Sequence, residues 1–238
     1  MDFVQYDLQD GIATIRIDDG KRNALAPEVL REIYAAFDRA EADKATIILT
    51  GRDDVFSAGF DLKVMKKGGM RAVGMLRSGY GLPARVLRYP YPVIVACNGH
   101  SLAMGVFLML SADYIIGCRG DFKISANEVA IGMTMPRVAA AVLRNRLQPA
   151  AFQRAVTVAQ YFDPDTALDA GFFDELVYAN ELSERANQKA NEFRELDDVA
   201  HRISKRRIRA ALVRRLRRSV PLDLFDAMMV GLRRRRQN

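Results

Sequence analysis

The sequence predicts one α/β domain followed by a helical C-terminal region. Three patterns carry that prediction. Two alternating strands, a helix and a buried strand fall within about 50 residues at the N-terminus. A second strand–turn–helix–strand unit lies around residues 93–117, and helical periodicity dominates the remainder of the chain. With 238 residues, 50% hydrophobic and 27% charged, the chain can bury one large core, or a core with a small appendage. That composition excludes disordered and fibrous classes.

From the N-terminus, Phe3–Leu8 and Ile12–Asp18 alternate like strands and are joined by Gln9-Asp10-Gly11, a hairpin signal. Pro27 marks a helix start, and Val29, Leu30, Ile33, Tyr34, Phe37 and Ala40 recur at helical spacing. Ala45–Thr50 is a short β-branched run ending at Gly51, a buried strand. Asp61–Lys67 reads as helical and is interrupted by Gly68-Gly69; a helix near Ser78–Tyr89 leads into a strand at Val93–Cys97. A buried helix over Ala103–Ala112 precedes a strand at Asp113–Gly117. Helices are then expected at Arg137–Arg146, Pro149–Ala159, Asp165–Ala170 and Leu182–Glu195.

The longest apolar segment, Ser101–Ala112, is too short to span a bilayer and reads as a buried core helix. Residues 1–10 lack a basic stretch followed by an apolar run, so no secretory signal is expected. Cys97 and Cys118 each sit in a strand-like apolar run, which suits free thiols in a reducing compartment; a cytoplasmic location is expected. The formal charge of +7 is unevenly spread: residues 201–238 hold 13 Lys/Arg against 2 Asp/Glu, and residues 1–200 hold 23 against 27. A basic tail on a mildly acidic body does not support a general nucleic-acid-binding reading.

Two places share one design, a buried strand, a glycine-containing turn and a helix start. They are Phe56-Ser57-Ala58-Gly59-Phe60-Asp61-Leu62-Lys63 and Asn98-Gly99-His100-Ser101-Leu102-Ala103-Met104-Gly105. Such a turn leaves backbone N–H groups unpaired at a helix N-terminus, where the dipole favours negative charge. Two of them converging from two loops make an oxyanion hole, which stabilises charge developing on a carbonyl oxygen. Each turn alone is a common feature; the pair carries the reading.

Together with Asn23-Ala24-Leu25, Pro92-Val93, Ala112-Asp113, Glu128 and the late pattern Ala167…Ala170-Gly171…Asp174-Glu175…Val177, these landmarks resemble the crotonase (enoyl-CoA hydratase/isomerase) superfamily over nearly all of residues 1–200. The resemblance implies a spiral of ββα units with a C-terminal helical region, a homotrimer or hexamer, and an acyl-CoA thioester substrate. It implies no cofactor beyond the coenzyme A of that substrate. The two oxyanion donors would be the backbone N–H groups of Phe60 and Met104. Ser57-Ala58 would meet the adenine, Asp61, Leu62 and Lys63 would lie beside the thioester arm, and Lys21 and Arg22, close to Ala24, would meet the phosphates; solvated surface is the alternative for the three basic residues. Residues 1–197 would form the core that binds and turns over substrate, and 198–238 basic helices for subunit packing.

One departure from the family pattern bears on the reaction. Hydratases of this family flank the enoyl group with two glutamates, since adding water needs one group to activate water and another to handle the α-proton. The first position falls on Phe107, which transfers no proton; the second falls on Glu128. A lone carboxylate beside an oxyanion hole suffices to move a proton between two carbons, which resembles the Δ3–Δ2-enoyl-CoA isomerases. Phe107 would exclude water and raise the proton affinity of Glu128. The alternative for Glu128 is a surface or helix-capping carboxylate. Two other functions stay open, hydration in fatty-acid oxidation and an acyl-CoA- or RNA-binding protein with little activity.

His100 is either a pocket residue and substitute base or a histidine satisfied by neighbouring backbone. Met65, with Met70 and Met75, is either a wall of the acyl pocket or core. Neither histidine is spaced for a metal site, and no histidine–acid framework supports Ser57 or Ser101 as nucleophile. In the tail, Lys205–Arg218 reads as an amphipathic helix with Ile208, Leu212, Val213 and Leu216 on one stripe. Leu222, Leu224, Phe225, Met228, Met229 and Leu232 form another, ending in the arginines 233–236. Subunit packing with attraction for CoA phosphates is favoured over nucleic-acid or membrane attachment, because aromatic residues for base stacking are sparse.

Overall fold

A computed structural model describes residues 3–237, with side chains through 229. Its frame is a six-stranded sheet. β1 (Val4–Gln9) and β2 (Ile12–Ile17) pair antiparallel as the hairpin pattern predicts. After the two-residue β3 (Ala24–Leu25), helix α1 (Pro27–Ala42) starts on its proline and buries Val29, Leu30, Ile33, Phe37 and Ala40 along one face. It returns the chain to β4 (Thr46–Thr50), parallel to β2. Next come β5 (Val55–Ser57), β6 (Gly59–Phe60), α2 (Leu62–Lys67) and α3 (Gly69–Arg88). They are followed by β7 (Val93–Cys97), β8 (His100–Leu102), α4 (Met104–Met109), β9 (Tyr114–Cys118) and β10 (Ile124–Ser125). A 3-10 turn at Val129–Ile131 precedes α5 (Arg137–Arg146), α6 (Pro149–Thr157), α7 (Pro164–Ala170), β11 (Glu175–Val177), α8 (Leu182–Arg194) and α9 (Asp198–Gln237).

The large sheet runs β1-β2-β4-β7-β9-β11, parallel after the first hairpin. β7 is buried at every residue because both faces are covered, which is why it reads as a continuous apolar run. On one face Ile48, Ile94, Ala96 and Ile116 meet Leu182, Ala186 and Ala190 of α8; the other face forms the main core.

Four expectations are corrected. α3 begins at Gly69, not near Ser78, because tertiary packing of its buried residues against α1 and α9 overrides the low helix propensity of Gly74, Gly79 and Gly81. The run Ser101–Ala112 is not one helix: Ala103 takes φ 49, ψ −123 and splits it into β8 and α4. The tail is a single helix, with Pro221 exposed inside it, where proline has no N–H to give the carbonyl one turn back. Its inward face carries Lys205, Val213, Leu216, Ser219 and Asp223, while Ile208 is 79% exposed on the opposite side. Leu222, Phe225, Met228 and Met229 also face outward; the side chains of Leu232 and the arginines 233–236 lie outside the described residues.

α9 is held to the body by charge as well as packing. The Lys205 ammonium donates to the Asp113 carboxylate at 2.6 Å and to the Tyr91 carbonyl at 2.8 Å, and Arg209 reaches the second Asp113 oxygen at 3.0 Å. Among the described residues no helix is long and apolar enough to cross a membrane.

Candidate active site

The site is built by a second, small sheet in the order β10-β8-β5, all parallel. Parallel strands in register end on the same edge, so the segments leaving β5, β8 and β10 emerge side by side with the β8 segment in the middle. Those segments are Ala58-Gly59-Phe60, Ala103-Met104 and Ala126-Asn127-Glu128. The Ala103 N–H donates to the Ser125 carbonyl at 2.9 Å, tying the second to the third.

The first and second segments are pressed together. A Cβ on Gly59 would stand 2.9 Å from the Ala103 Cβ and 3.2 Å from the Met104 nitrogen, and one on Gly105 would be 2.6 Å from the Ser57 carbonyl oxygen. Gly59 has φ 84 and Ala103 φ 49, so the residue before each expected donor sits in left-handed backbone. Glycine adopts this freely; alanine does so under strain, which concentrates at functional sites. Met104 opens α4, so its N–H has no acceptor within the helix.

Neighbouring polar groups fix these turns. Ser57, fully buried, donates to the Asn23 carbonyl at 2.8 Å and accepts the Gly59 N–H at 3.2 Å. The Asn23 amide donates to the carbonyls of Ile17 and Phe56 at 2.7 and 3.1 Å. Asn98 accepts the Gly51 N–H and donates to the carbonyls of Arg52 and Asp53. Ser57 thus shapes the first turn from behind.

Glu128 is 5% exposed, and its Oε2 has no hydrogen-bond partner. Burial pushes its carboxyl up to about 7, against the lowering effect of its own backbone N–H. It opens the 3-10 turn, its carbonyl accepting from Ile131 and Met133. Phe107 lies one turn after Met104, 1% exposed and apolar.

A cleft of about 420 Å³ is lined by Lys21, Arg22, Ala24, Asp61, Leu62 and Lys63 among others. Asp19 shapes its rim by accepting the N–H groups of Lys21, Asn23 and Ala24. Asp61 caps α2 through the N–H groups of Lys63 and Val64. All six residues come from two segments held together by β3 and β6 pairing, Ala24 opposite Gly59.

Other singled-out residues lie elsewhere. The His100 ring accepts the Lys123 N–H at 2.9 Å and packs edge-on against Phe122, away from the cleft lining. Met65 is half-buried against the core, Met70 is 83% exposed and Met75 fully buried, so the three do not form one wall. Cys97 and Cys118 are buried free thiols, both pushed up by burial. Two further residues carry no motif: Tyr80, whose ring packs against Phe60, and Asp223 of α9, which accepts the Arg137 and Val138 N–H groups at the start of α5.

The sequence pattern of the enoyl-CoA hydratase/isomerase family matches residues 7–229. Human mitochondrial enoyl-CoA delta isomerase 1 is 27% identical over 218 residues, covering 90% of this chain and 72% of that protein. The crystal structure of an enoyl-CoA hydratase/isomerase family protein from Pseudomonas syringae superposes with a TM-score of 0.92 at 42% identity, covering 94% of this chain and 97% of that one. That of an enoyl-CoA hydratase from Mycobacterium marinum gives 0.89 at 41% identity, covering 93% and 97%. Alongside the parallel three-strand site, these likenesses show that the chain belongs to the enoyl-CoA hydratase/isomerase family, the crotonase superfamily.

Proposed function

We propose that the protein moves the double bond of a 3-enoyl-CoA to the 2-position, with Glu128 as the single proton carrier. The observation that supports this most is the pairing of Glu128, buried with an unpartnered oxygen at the end of the third segment, with the apolar Phe107 beyond Met104. In the reaction the Glu128 carboxylate takes a C2 proton. The electron pair moves into the C1–C2 bond, and negative charge develops on the thioester oxygen. The Phe60 and Met104 N–H groups hold that oxyanion. Glu128 then returns the proton to C4, and the electrons settle as a C2–C3 double bond. No water is consumed and no oxidant is needed. A carboxyl near 7 is matched to this task, since it accepts and releases a proton at similar cost at neutral pH.

Lys21, Arg22 and Lys63 on the cleft would meet the phosphates and the pantetheine end of the coenzyme, with Leu62 as an apolar contact. The outward apolar residues of α9 would pack between copies in a trimer or hexamer, which light scattering measures; the inward turn of Lys205 and Arg209 favours this over a free nucleic-acid-binding arm.

The test is a product assay on matched 3-enoyl- and 2-enoyl-CoA, with Glu128→Gln alongside. Conversion of 3-enoyl to 2-enoyl thioester, lost in the variant while thioester binding persists, supports isomerisation. Hydration is the second reading, favoured by the likeness to the Mycobacterium marinum hydratase; its sign is 3-hydroxyacyl-CoA formed from the 2-enoyl substrate.

A further inference from the structure

Gly79 is buried in the interior of α3, a place where alanine suits a helix better. What the glycine makes room for is the Phe60 ring. A Cβ at 79 would stand 2.2 Å from Cε1 and 2.3 Å from Cζ of that ring, far inside contact, but 3.5 Å from Cδ1, an ordinary contact distance. The tip of the ring therefore occupies a notch in α3 that only glycine leaves open. Tyr80 flanks the notch, its ring edge-on to Phe60 with centroids 5.6 Å apart at 81°. The helix is itself tied at this point, since the Tyr34 hydroxyl of α1 donates to the Ser78 carbonyl at 3.0 Å.

Phe60 joins this notch to the first donor segment. Its backbone lies in β6, opposite Leu25 of β3, and the residue before it, Gly59, is pressed against Ala103 and the Met104 nitrogen. The segment is thus gripped on three sides, by β3 along its backbone, by the second donor segment at Gly59 and by α3 at the ring. β6 is only two residues long, so its own pairing holds it by few bonds and the ring contact weighs more. That third grip belongs to the residue whose N–H is proposed as a donor. A methyl at 79 pushes the ring against Tyr80 or back along its own side chain onto the strand.

We infer that Gly79 is a positioning residue for the first oxyanion donor: the notch it leaves in α3 seats the Phe60 ring and so holds the Phe60 N–H where the thioester oxygen develops charge. This rests on reading that N–H as a donor in the proposed reaction. It also explains why a helix that packs against α1 and α9 keeps a glycine at this position.

The experiment compares the full-length protein with Gly79→Ala and with Gly79→Ala combined with Phe60→Leu. Leucine ends at the δ carbons and lacks the two ring atoms that collide, so it leaves room for the methyl. Two readouts are taken: steady-state isomerisation of a 3-enoyl-CoA, and the infrared stretch of the carbonyl in a bound saturated acyl-CoA labelled with carbon-13 at C1. Donation to the thioester oxygen lowers that stretch. Gly79→Ala should lower kcat by about 100-fold with KM little changed, as loss of one oxyanion donor does, and should return the stretch toward that of the free thioester. The double variant should recover most of both. An unmoved kcat and stretch in Gly79→Ala, whatever its denaturation midpoint, would overturn the inference, and so would a loss that Phe60→Leu does not restore. If the wild-type protein turns over neither thioester, the proposed isomerisation falls, while the stretch still decides the role of Gly79. A wild-type stretch equal to that of the free thioester would remove Phe60 as a donor, and the inference with it.

Discussion

Gly59 lies against the backbone nitrogen of Met104, close enough that a Cβ there would stand 3.2 Å from it. The two residues are 45 positions apart, and the parallel pairing of β5 with β8 brings them together. In Gly59→Ala the added carbon meets Ala103 and the left-handed φ of 84 becomes strained, so one donor segment must shift. Loss of a single oxyanion donor costs about 100- to 1,000-fold in kcat. Steady-state kinetics on 3-enoyl-CoA should show a fall of that order with KM little altered; equal losses in kcat and in folded fraction would mean that the glycine serves stability alone.

The role proposed for Glu128 connects catalysis to stability. Its carboxyl is raised from the ordinary 4.5 to about 7 by burial, so ionisation opposes folding. The penalty is absent below pH 4.5, grows between 4.5 and 7, and is complete above 7, where it reaches about 3 kcal/mol. Glu128→Gln should therefore be more stable than wild type at pH 8 and nearly equal to it at pH 4.5, as read from denaturant midpoints. The wild-type kcat/KM should climb about tenfold per pH unit below 7 and level off above it, because the basic form does the work.

The α9 anchor should respond asymmetrically to mutation. Asp113 accepts from the Val93 N–H, Lys205 and Arg209, so Asp113→Asn leaves two largely buried cations without their counter-charge and should cost about 3–5 kcal/mol. Lys205→Met leaves Asp113 with Arg209 and the Val93 N–H and should cost less. Burial is the main reason the Lys205 ammonium is pushed down to about 8. Urea denaturation of both variants checks the order.

The cleft, lined by Lys21, Arg22 and Lys63 and by Asp19, Glu28 and Asp61, should recognise the coenzyme through its basic side chains and take no part in the chemistry. Lys21→Glu with Arg22→Glu should raise KM for an acyl-CoA by at least about tenfold at low salt, leave kcat nearly unchanged, and have little effect on the matching pantetheine thioester. An equal effect on both thioesters would place these side chains outside phosphate recognition.

How far the sequence was legible depends on the range of the interactions concerned. The β1–β2 hairpin, α1, β4 and β7 are written locally, in turn residues and apolar spacing, and they appear at or near their expected positions. The two glycine turns were legible because Gly59 and Gly105 answer to close contacts that recur as a motif. The extent of α3 was hidden, because the glycine that weakens it at 79 is required by the Phe60 ring from a distant segment. β8 and β10 were hidden for a similar reason: at three and two residues they exist only through pairing with each other and with β5. Tyr80 reaches Phe60 through helix packing, which leaves no spacing signal in the chain. Of the stripe Ile208, Leu212, Val213 and Leu216 only Ile208 turns out to solvent, because the inward face of α9 also takes the polar Lys205 and Asp223, which find partners inside.

If one carboxylate carries a proton from C2 to C4 without water adding, a single turnover shows it most directly. The substrate is a 3-enoyl-CoA dideuterated at C2, the solvent is water enriched in oxygen-18, and the products are read by mass spectrometry. The expected product is 2-enoyl-CoA that retains part of the transferred deuterium at C4 and contains no heavy oxygen. 3-Enoyl-CoA recovered unchanged, or 2-enoyl-CoA with no deuterium at C4, would contradict transfer by Glu128 alone.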